Sequence, residues 1–165
     1  MSNEQIKQRL SEQFPELSEW EEQYGLLTFR APAGRNLDVM QFLFNDPELQ
    51  LQFLTDLTGI HYPDRAGEEL CAVYHLHNLV QNFRIRMKVY VPLSHPDLHS
   101  VTSVFSGADW MERETYDFFG FNFIGHPNLT RILNVDEMDY FPMRKEYPME
   151  DPTRVDKDDE MFGRG

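Results

Sequence analysis

An α+β fold, a mostly antiparallel or mixed sheet of four or five strands with helices packed on one side, is what this sequence predicts, and three observations carry that reading. Phe83 to Val91, FRIRMKVYV, alternates apolar and mostly basic residues without a break, the period of a strand with one buried face. Ile6, Leu10 and Phe14, and again the stretch Trp110 to Phe119, follow helical spacing. From Asp136 onward regular patterning fades, and Pro142, Pro148 and Pro152 among many acids read as an extended arm. The chain therefore divides into a single α+β domain, 1–140, and an extended acidic C-terminal arm, 141–165.

The first helix opens on Ser2 and Gln5, spaced as a capping box, and Pro15 stops it. Leu26 to Phe29 reads as a strand between Gly25 and a turn at Pro32–Gly34. A helix is expected from about Asn36 to Phe44. Another is expected from Asp46-Pro47, an N-cap and first helical position, with Leu49, Phe53, Leu54 and Leu57 as its apolar face and Gly59 as its end. Leu70 to Leu76 should pair with Phe83–Val91 as an antiparallel hairpin turning around His77–Gln81. Arg84, Arg86 and Lys88 would then project together from the opposite face, toward carboxylates of the chain's own helices or of a partner. Leu98–Phe105 reads as a helical turn. The Trp110–Phe119 helix follows, capped by Ser106 or Asp109 and ended by Gly120, and Phe121, Phe123 and Ile124 lead into a Gly125-His126-Pro127 turn.

With 28 acids against 15 Lys and Arg, the net charge of −13 repels phosphate backbones and argues against nucleic acid as a partner. No apolar run approaches the roughly 20 residues of a spanning helix, and MSNEQIKQRL carries no apolar signal core, so a cytoplasmic protein that meets a membrane only through partners is expected. Cys71 stands alone, which excludes an internal disulfide and a self-contained cysteine-ligated cluster.

His75 with His77, and His95 with His99, are the pairs that a metal reading would use, but Pro96 interrupts the second and no histidine–glutamate zinc signature is present. The sequence has no GxSxG elbow, Walker loop or GxGxxG after a strand. Glu112 and Glu114, two apart on a helix, point in different directions and would not share one substrate. No catalytic residue, cofactor site or metal site is assigned.

The densest segment is Glu112 to Leu133, ERETYDFFGFNFIGHPNLTRIL. Glu114 lies one turn from Trp110 and Phe118, so a carboxylate sharing a face with two aromatics would need a cation or donors. Arg113 and Asp117, four apart, could form a surface pair. His126 between Gly125 and Pro127 reads as holding a turn by hydrogen bonds.

The order Glu112-Arg113-Glu114, Tyr116-Asp117, Gly120, Gly125-His126-Pro127 and Arg131-Ile132-Leu133 resembles the signature of the C subunit (the 30-kDa subunit family) of bacterial NADH-quinone oxidoreductase, respiratory complex I, which is also found in related membrane-bound hydrogenases. Pro142, Arg144-Lys145 and Tyr147-Pro148 look like its downstream positions, whereas Thr130, Met138–Phe141 and Met143 depart from its usual residues. The resemblance implies a subunit of the peripheral arm without a cofactor of its own. It would be non-catalytic by itself, in a complex that carries FMN and iron–sulfur clusters and passes electrons from NADH to quinone while pumping protons. It implies docking against the quinone-site subunit and the subunit that holds the terminal iron–sulfur cluster, on the cytoplasmic face of the bacterial inner membrane. Glu112, Arg113, Glu114 and Asp117 would fix the helix against Arg131 or a partner, with Arg144, Lys145, Tyr147 and Pro148 along a neighbour. The alternatives are the equivalent subunit of a membrane-bound hydrogenase or ferredoxin-fed complex, a free-standing acidic adaptor, and a small histidine-dependent metalloenzyme.

Overall fold

A computed structural model describes residues 1–147; Pro148, Pro152 and the rest of the expected arm lie outside the described residues. Helix α1 (Asn3–Gln13) starts at the capping box, where the Gln5 N–H donates to Ser2 Oγ and the Gln5 side chain accepts the Ser2 N–H at 2.9 Å. Strands β1 (Ser18–Gln23) and β2 (Leu26–Arg30) turn through Tyr24 and Gly25, both at positive φ, as a two-residue hairpin requires. A 3₁₀ turn, Ala33–Arg35, leads into α2 (Asn36–Asn45), which is followed by β3 (Phe53–His61), β4 (Leu70–Asn78) and β5 (Phe83–Val91). The chain continues through β6 (Asp97–His99), α3 (Ala108–Phe119) and β7 (Asn122–Ile124).

The five-stranded sheet has the order β1-β2-β5-β4-β3, antiparallel except for the parallel pair β2–β5, and β6 pairs with β7 in a separate parallel ribbon. The expected β4–β5 hairpin is present, with Leu76 opposite Ile85 and Tyr74 opposite Met87. Its turn is organised by the Asn78 side chain, whose Oδ1 accepts the Val80 and Gln81 N–H groups. Alternation in β4 and β5 sends Ala72, Tyr74, Leu76, Ile85, Met87 and Val89 into one core with Ile6 and Leu10 of α1, Val39, Met40 and Leu43 of α2, and Phe119 of α3. All three helices therefore cover the same face.

Two sequence expectations fail here for physical reasons. The segment after Asp46 is capped as expected, with Asp46 Oδ1 accepting the Glu48 and Leu49 N–H groups at 3.0 Å, but it makes a single turn and then becomes β3 instead of a helix reaching Gly59. A bulge between Leu54 and Asp56 interrupts the alternation, so Leu54 and Leu57, three apart, both face the core. That spacing imitates a helix. Conversely, β1 is missed because SEWEEQ is an exposed edge strand whose apolar anchor is Trp20, tilted on Phe29 at 5.1 Å. The basic row of β5 lies opposite the helices, so it meets strands: Lys88 pairs with Glu21 at 3.7 Å and Arg86 Nε donates to His75 Nε2 at 2.8 Å. The Leu98–Phe105 stretch divides into β6 and one helical turn, in which Val101 O accepts the Val104 and Phe105 N–H groups.

Gly59, expected to end a helix, is mid-strand because α3 crosses there. A Cβ would lie 2.5 Å from the Phe119 ring and 2.9 Å from that of Phe121. Gly59→Ala should therefore lower stability by roughly 1–3 kcal/mol through overpacking, measured by denaturant unfolding. Gly34→Ala, where a Cβ meets open space, should leave stability nearly unchanged.

Candidate functional site

Helix α3 carries the signature acids, and its two ends solve different electrostatic problems. At its start the N-cap is Gly107, without a side-chain bond, and neither Ser106 nor Asp109 plays the expected capping role. The Asp109 carboxylate instead lies 3.3 Å from His126 Nε2, which also donates to Asp109 O at 3.1 Å. His126 Nδ1 accepts the Asn128 N–H at 3.0 Å, so the turn-holding reading of His126 is what the geometry gives. Glu112 is fully buried one turn on. Its carboxylate accepts the Val101 N–H and the Ser100 hydroxyl, each at 2.7 Å, fastening α3 to the segment after β6. Burial pushes the Glu112 carboxyl up to about 7, because these two donors offset only part of the lost hydration.

At the other end a helix leaves its last four carbonyls without partners. Here each one is answered. Gly120, at φ +81, returns its N–H to Tyr116 O at 2.8 Å, and Arg131 Nη1 donates to Asp117 O at 2.9 Å. The Met143 N–H reaches Phe118 O at 3.1 Å and Arg144 Nε reaches Phe119 O at 2.8 Å. Two guanidinium groups thus sit at the negative end of the helix dipole. Phe141 lies beneath both, with Arg131 at 5.2 Å and Arg144 at 4.5 Å from its ring centre, and its other neighbour is Tyr116, edge-on at 5.9 Å. A Cβ at Gly120 would come within 2.6 Å of Phe141, so glycine is required for space as well as for backbone conformation.

Asp117, fully buried, organises the loop that supplies these donors. Its carboxylate accepts Arg131 Nη1 at 2.7 Å, the N–H groups of Ile132, Leu133 and Asn134, and the Asn134 amide at 3.0 Å. Burial alone would raise this acid, but the bonds from Asn134, Arg131 and Leu133 outweigh it and hold the carboxyl well below the usual range. Arg131 Nη2 spans onward to Met138 O and Tyr140 O. One ion pair therefore fixes residues 131–140 although they contain no helix or strand.

The other expected residues fall around this hub. Arg113 does not pair with Asp117; it donates to Thr130 O and Arg131 O and lies over the Trp110 ring at 5.3 Å, because Asp117 points inward. Glu114 is exposed beside a 61 % exposed Trp110, so the buried carboxylates needing partners are Glu112 and Asp117, and Glu114 is not among them. The Lys145 N–H donates to His61 Nδ1 at 2.9 Å, while Tyr147 packs on Tyr140 at 4.9 Å. Gly125, at φ +85, and Pro127 frame the His126 turn. Pro148 lies outside the described residues. Ser100, Asn134 and His61 also belong to the site, and no local pattern announces them, since each matters only through a contact distant in sequence.

Asp117 has its oxygens committed to donors and cannot serve as a base, while Glu112 is sealed from any solute. Among the described residues no group of three or more His, Cys, Asp or Glu is arranged to hold a metal, and His75 and His77 turn to Arg86 and Asn82 respectively. The site braces a surface.

The two acids give opposite pH responses. Because the Glu112 carboxyl is raised on folding from 4.5 to about 7, its favourable contribution is complete below 4.5 and is lost as pH rises through 7. Glu112→Gln, whose amide oxygen can accept the Val101 N–H and whose NH2 can donate to Ser100 Oγ once that hydroxyl turns to Thr102, should therefore gain up to about 3 kcal/mol over the parent above neutrality and little at acid pH, read from denaturant midpoints across pH. Asp117 is lowered on folding, so its contribution holds above the usual carboxylate range and is lost only on strong acidification. Asp117→Asn should cost about 3–5 kcal/mol, because it strands Arg131, and should open residues 131–140 to proteolysis.

Comparison with known proteins agrees with this architecture. Residues 29–153 match the family described as respiratory-chain NADH dehydrogenase, 30 Kd subunit. The NADH-quinone oxidoreductase C subunit of a Nocardioides species is 46 % identical over 125 residues, 76 % of this chain and 50 % of that protein. That of Streptomyces coelicolor is 45 % identical with the same coverage. The chain thus spans about half the length of the curated relatives it matches. Among solved structures, the trypsin-resistant fragment (1–134) of Nqo5 superposes with a TM-score of 0.67 at 30 % identity, covering 78 % of this chain and all of the fragment. A chain of the membrane-bound sulfane sulfur reductase, an archaeal respiratory membrane complex, gives 0.74 at 25 % identity over 94 % of this chain and 95 % of its own. With its sheet, its signature helix and most of its length accounted for in this way, the chain belongs to the 30 Kd subunit family of respiratory-chain NADH dehydrogenase.

Proposed function

We propose that this chain is a cofactor-free structural subunit in the peripheral arm of a proton-pumping NADH-quinone oxidoreductase, docked against the quinone-site subunit and the subunit holding the terminal iron–sulfur cluster. It performs no redox step itself. Electrons pass from NADH through the FMN and iron–sulfur clusters of other subunits to quinone. The complex lies at the cytoplasmic face of the inner membrane, and this chain reaches the membrane only through its partners; no helix among the described residues is long and apolar enough to cross one.

The observation that carries the reading is the apolar surface on the braced segment. Leu133 and Val135 are each 64 % exposed and Met143 is 54 % exposed, and Tyr140 and Tyr147, packed on each other, are exposed as well. Such side chains ordinarily turn inward, and the backbone beneath is held outward by Asp117, Arg131 and Arg144, so the surface is fixed before a partner arrives. Within this reading Glu112, Tyr116, Asp117, Gly120, Gly125, His126, Pro127 and Arg131 shape the docking face, while Arg113, Glu114, Arg144, Lys145, Tyr147 and Pro148 lie against the neighbour. Residues 141–147, which also brace the end of α3, open the arm of 141–165 that would run along the partner.

The likeness to the sulfane sulfur reductase chain favours a second reading, the equivalent subunit of a related membrane-bound complex with another electron donor. The two differ in the accompanying modules and not in this chain. A flavin-bearing NADH module retained after gentle detergent extraction supports the first, and its replacement by another donor module supports the second.

Leu133→Asp combined with Met143→Asp should abolish recovery of the assembled complex from native membranes while the isolated chain nearly keeps its unfolding midpoint, since more than half of each side chain is exposed. Normal assembly with this variant would overturn the docking assignment, and a predominantly monomeric soluble pool of the parent would favour a free adaptor.

A further inference from the structure

Where the uncovered face of the sheet ends beside Met1 and Asn3, at the start of α1, lies a second feature, away from α3. In a chain of net charge −13, a groove of about 750 Å³ at the start of β2 and β5 is lined by Arg84 and Arg86 together with Gln23, Tyr24, Asn82 and Phe83. Neighbouring cations on this face are neutralised: Arg30 pairs with Glu19 and Glu68, and Lys88 with Glu21. Among the described residues Arg84 and Arg86 have no carboxylate partner. Arg86 Nε donates to His75 Nε2, so that nitrogen carries no proton and the ring is neutral; Asp56 meets the other ring nitrogen, at 3.6 Å, and not the guanidinium itself.

Tyr24 is the independent sign. It is fully exposed and occupies φ 54 in the β1–β2 turn, where glycine or asparagine would be relaxed and a tyrosine is strained. Neither packing nor turn geometry calls for an aromatic ring there. Tyrosine and arginine together, with amide side chains beside them, are the composition of a protein-binding hot spot.

We propose that this groove receives an extended, carboxylate-rich segment of a partner protein, with Arg84 and Arg86 pairing to its acids and Tyr24 covering its apolar positions. Two guanidinium forks match carboxylates bidentately, and a groove of this volume with aromatic and amide walls suits a polypeptide better than a compact anion. This surface is separate from the braced segment around Asp117, so it goes beyond the docking already assigned.

The test uses the full chain and a fluorescein-labelled glutamate-rich peptide followed by anisotropy, with a lysine-rich peptide, inorganic phosphate and phosphatidylglycerol vesicles in parallel. The parent should bind the glutamate-rich peptide through the two guanidinium groups at short range, against the long-range repulsion of a net charge of −13. Arg84→Glu with Arg86→Glu should weaken it by roughly tenfold or more. Tyr24→Asn should also weaken binding while raising the unfolding midpoint, a divergence that a purely structural role would not produce. Equal binding by the reversed-charge variant, no binding by the parent, or displacement of the peptide by phosphate or vesicles would overturn the proposal. Leu133→Asp with Met143→Asp should retain peptide binding, which separates failure here from failure of the assembly reading.

Discussion

The end of helix α3 is the constraint on which the rest of the signature region depends. A helix that stops inside a protein leaves carbonyls that must find donors or forfeit the energy of hydration. In this chain the donors arrive from far along the sequence, Arg131, Met143 and Arg144, and only one comes from the adjacent residue, Gly120. That requirement pulls an irregular stretch of chain back against the helix. Asp117 then holds it there, because a carboxylate in the last turn is poorly placed for the dipole unless a cation and several N–H groups answer it.

The opposite end of the same helix makes a different compromise. Glu112 has two neutral donors and no cation within bonding distance, and His126, 4.0 Å away, uses its proton on the Asp109 carbonyl. Two buried acids five residues apart are therefore displaced in opposite directions, one by desolvation and the other by saturation with donors. The helix is stapled at both ends, to the segment after β6 and to the loop after β7. The irregular surface between them is thus rigid without regular secondary structure.

The sheet separates two tasks. One face carries all the helices and the main core, and the other carries a small cluster of Cys71, Val73 and Tyr90 surrounded by charge. Arg30 and Arg65 lie over the Tyr90 ring at 4.8 and 5.1 Å, so even the apolar part of this face is roofed by guanidinium groups. A basic row on an acidic chain is retained here by strand pairing. His75 reaches it from the adjacent strand β4 and Glu21 from β1, one strand further off, where the helices on the far side cannot.

What the sequence determined by itself is whatever depends on neighbours within a few positions. The α1 capping box, the β4–β5 hairpin, the left-handed Gly120 and the family signature are all of this kind. The segment 46–59 misleads because a bulge gives Leu54 and Leu57 a helical spacing, and β1 is silent because an edge strand in water needs no hydrophobic period. At the site the signature residues are legible but their partners are not: Glu114, one helical turn from Trp110 and Phe118, is exposed, and Asp117, which looks like half of a surface pair, is the buried centre. Only the tertiary structure decided this. The direction of a side chain on a helix follows from where the helix is packed, and the donors that make a buried charge tolerable come from loops whose approach no local pattern encodes.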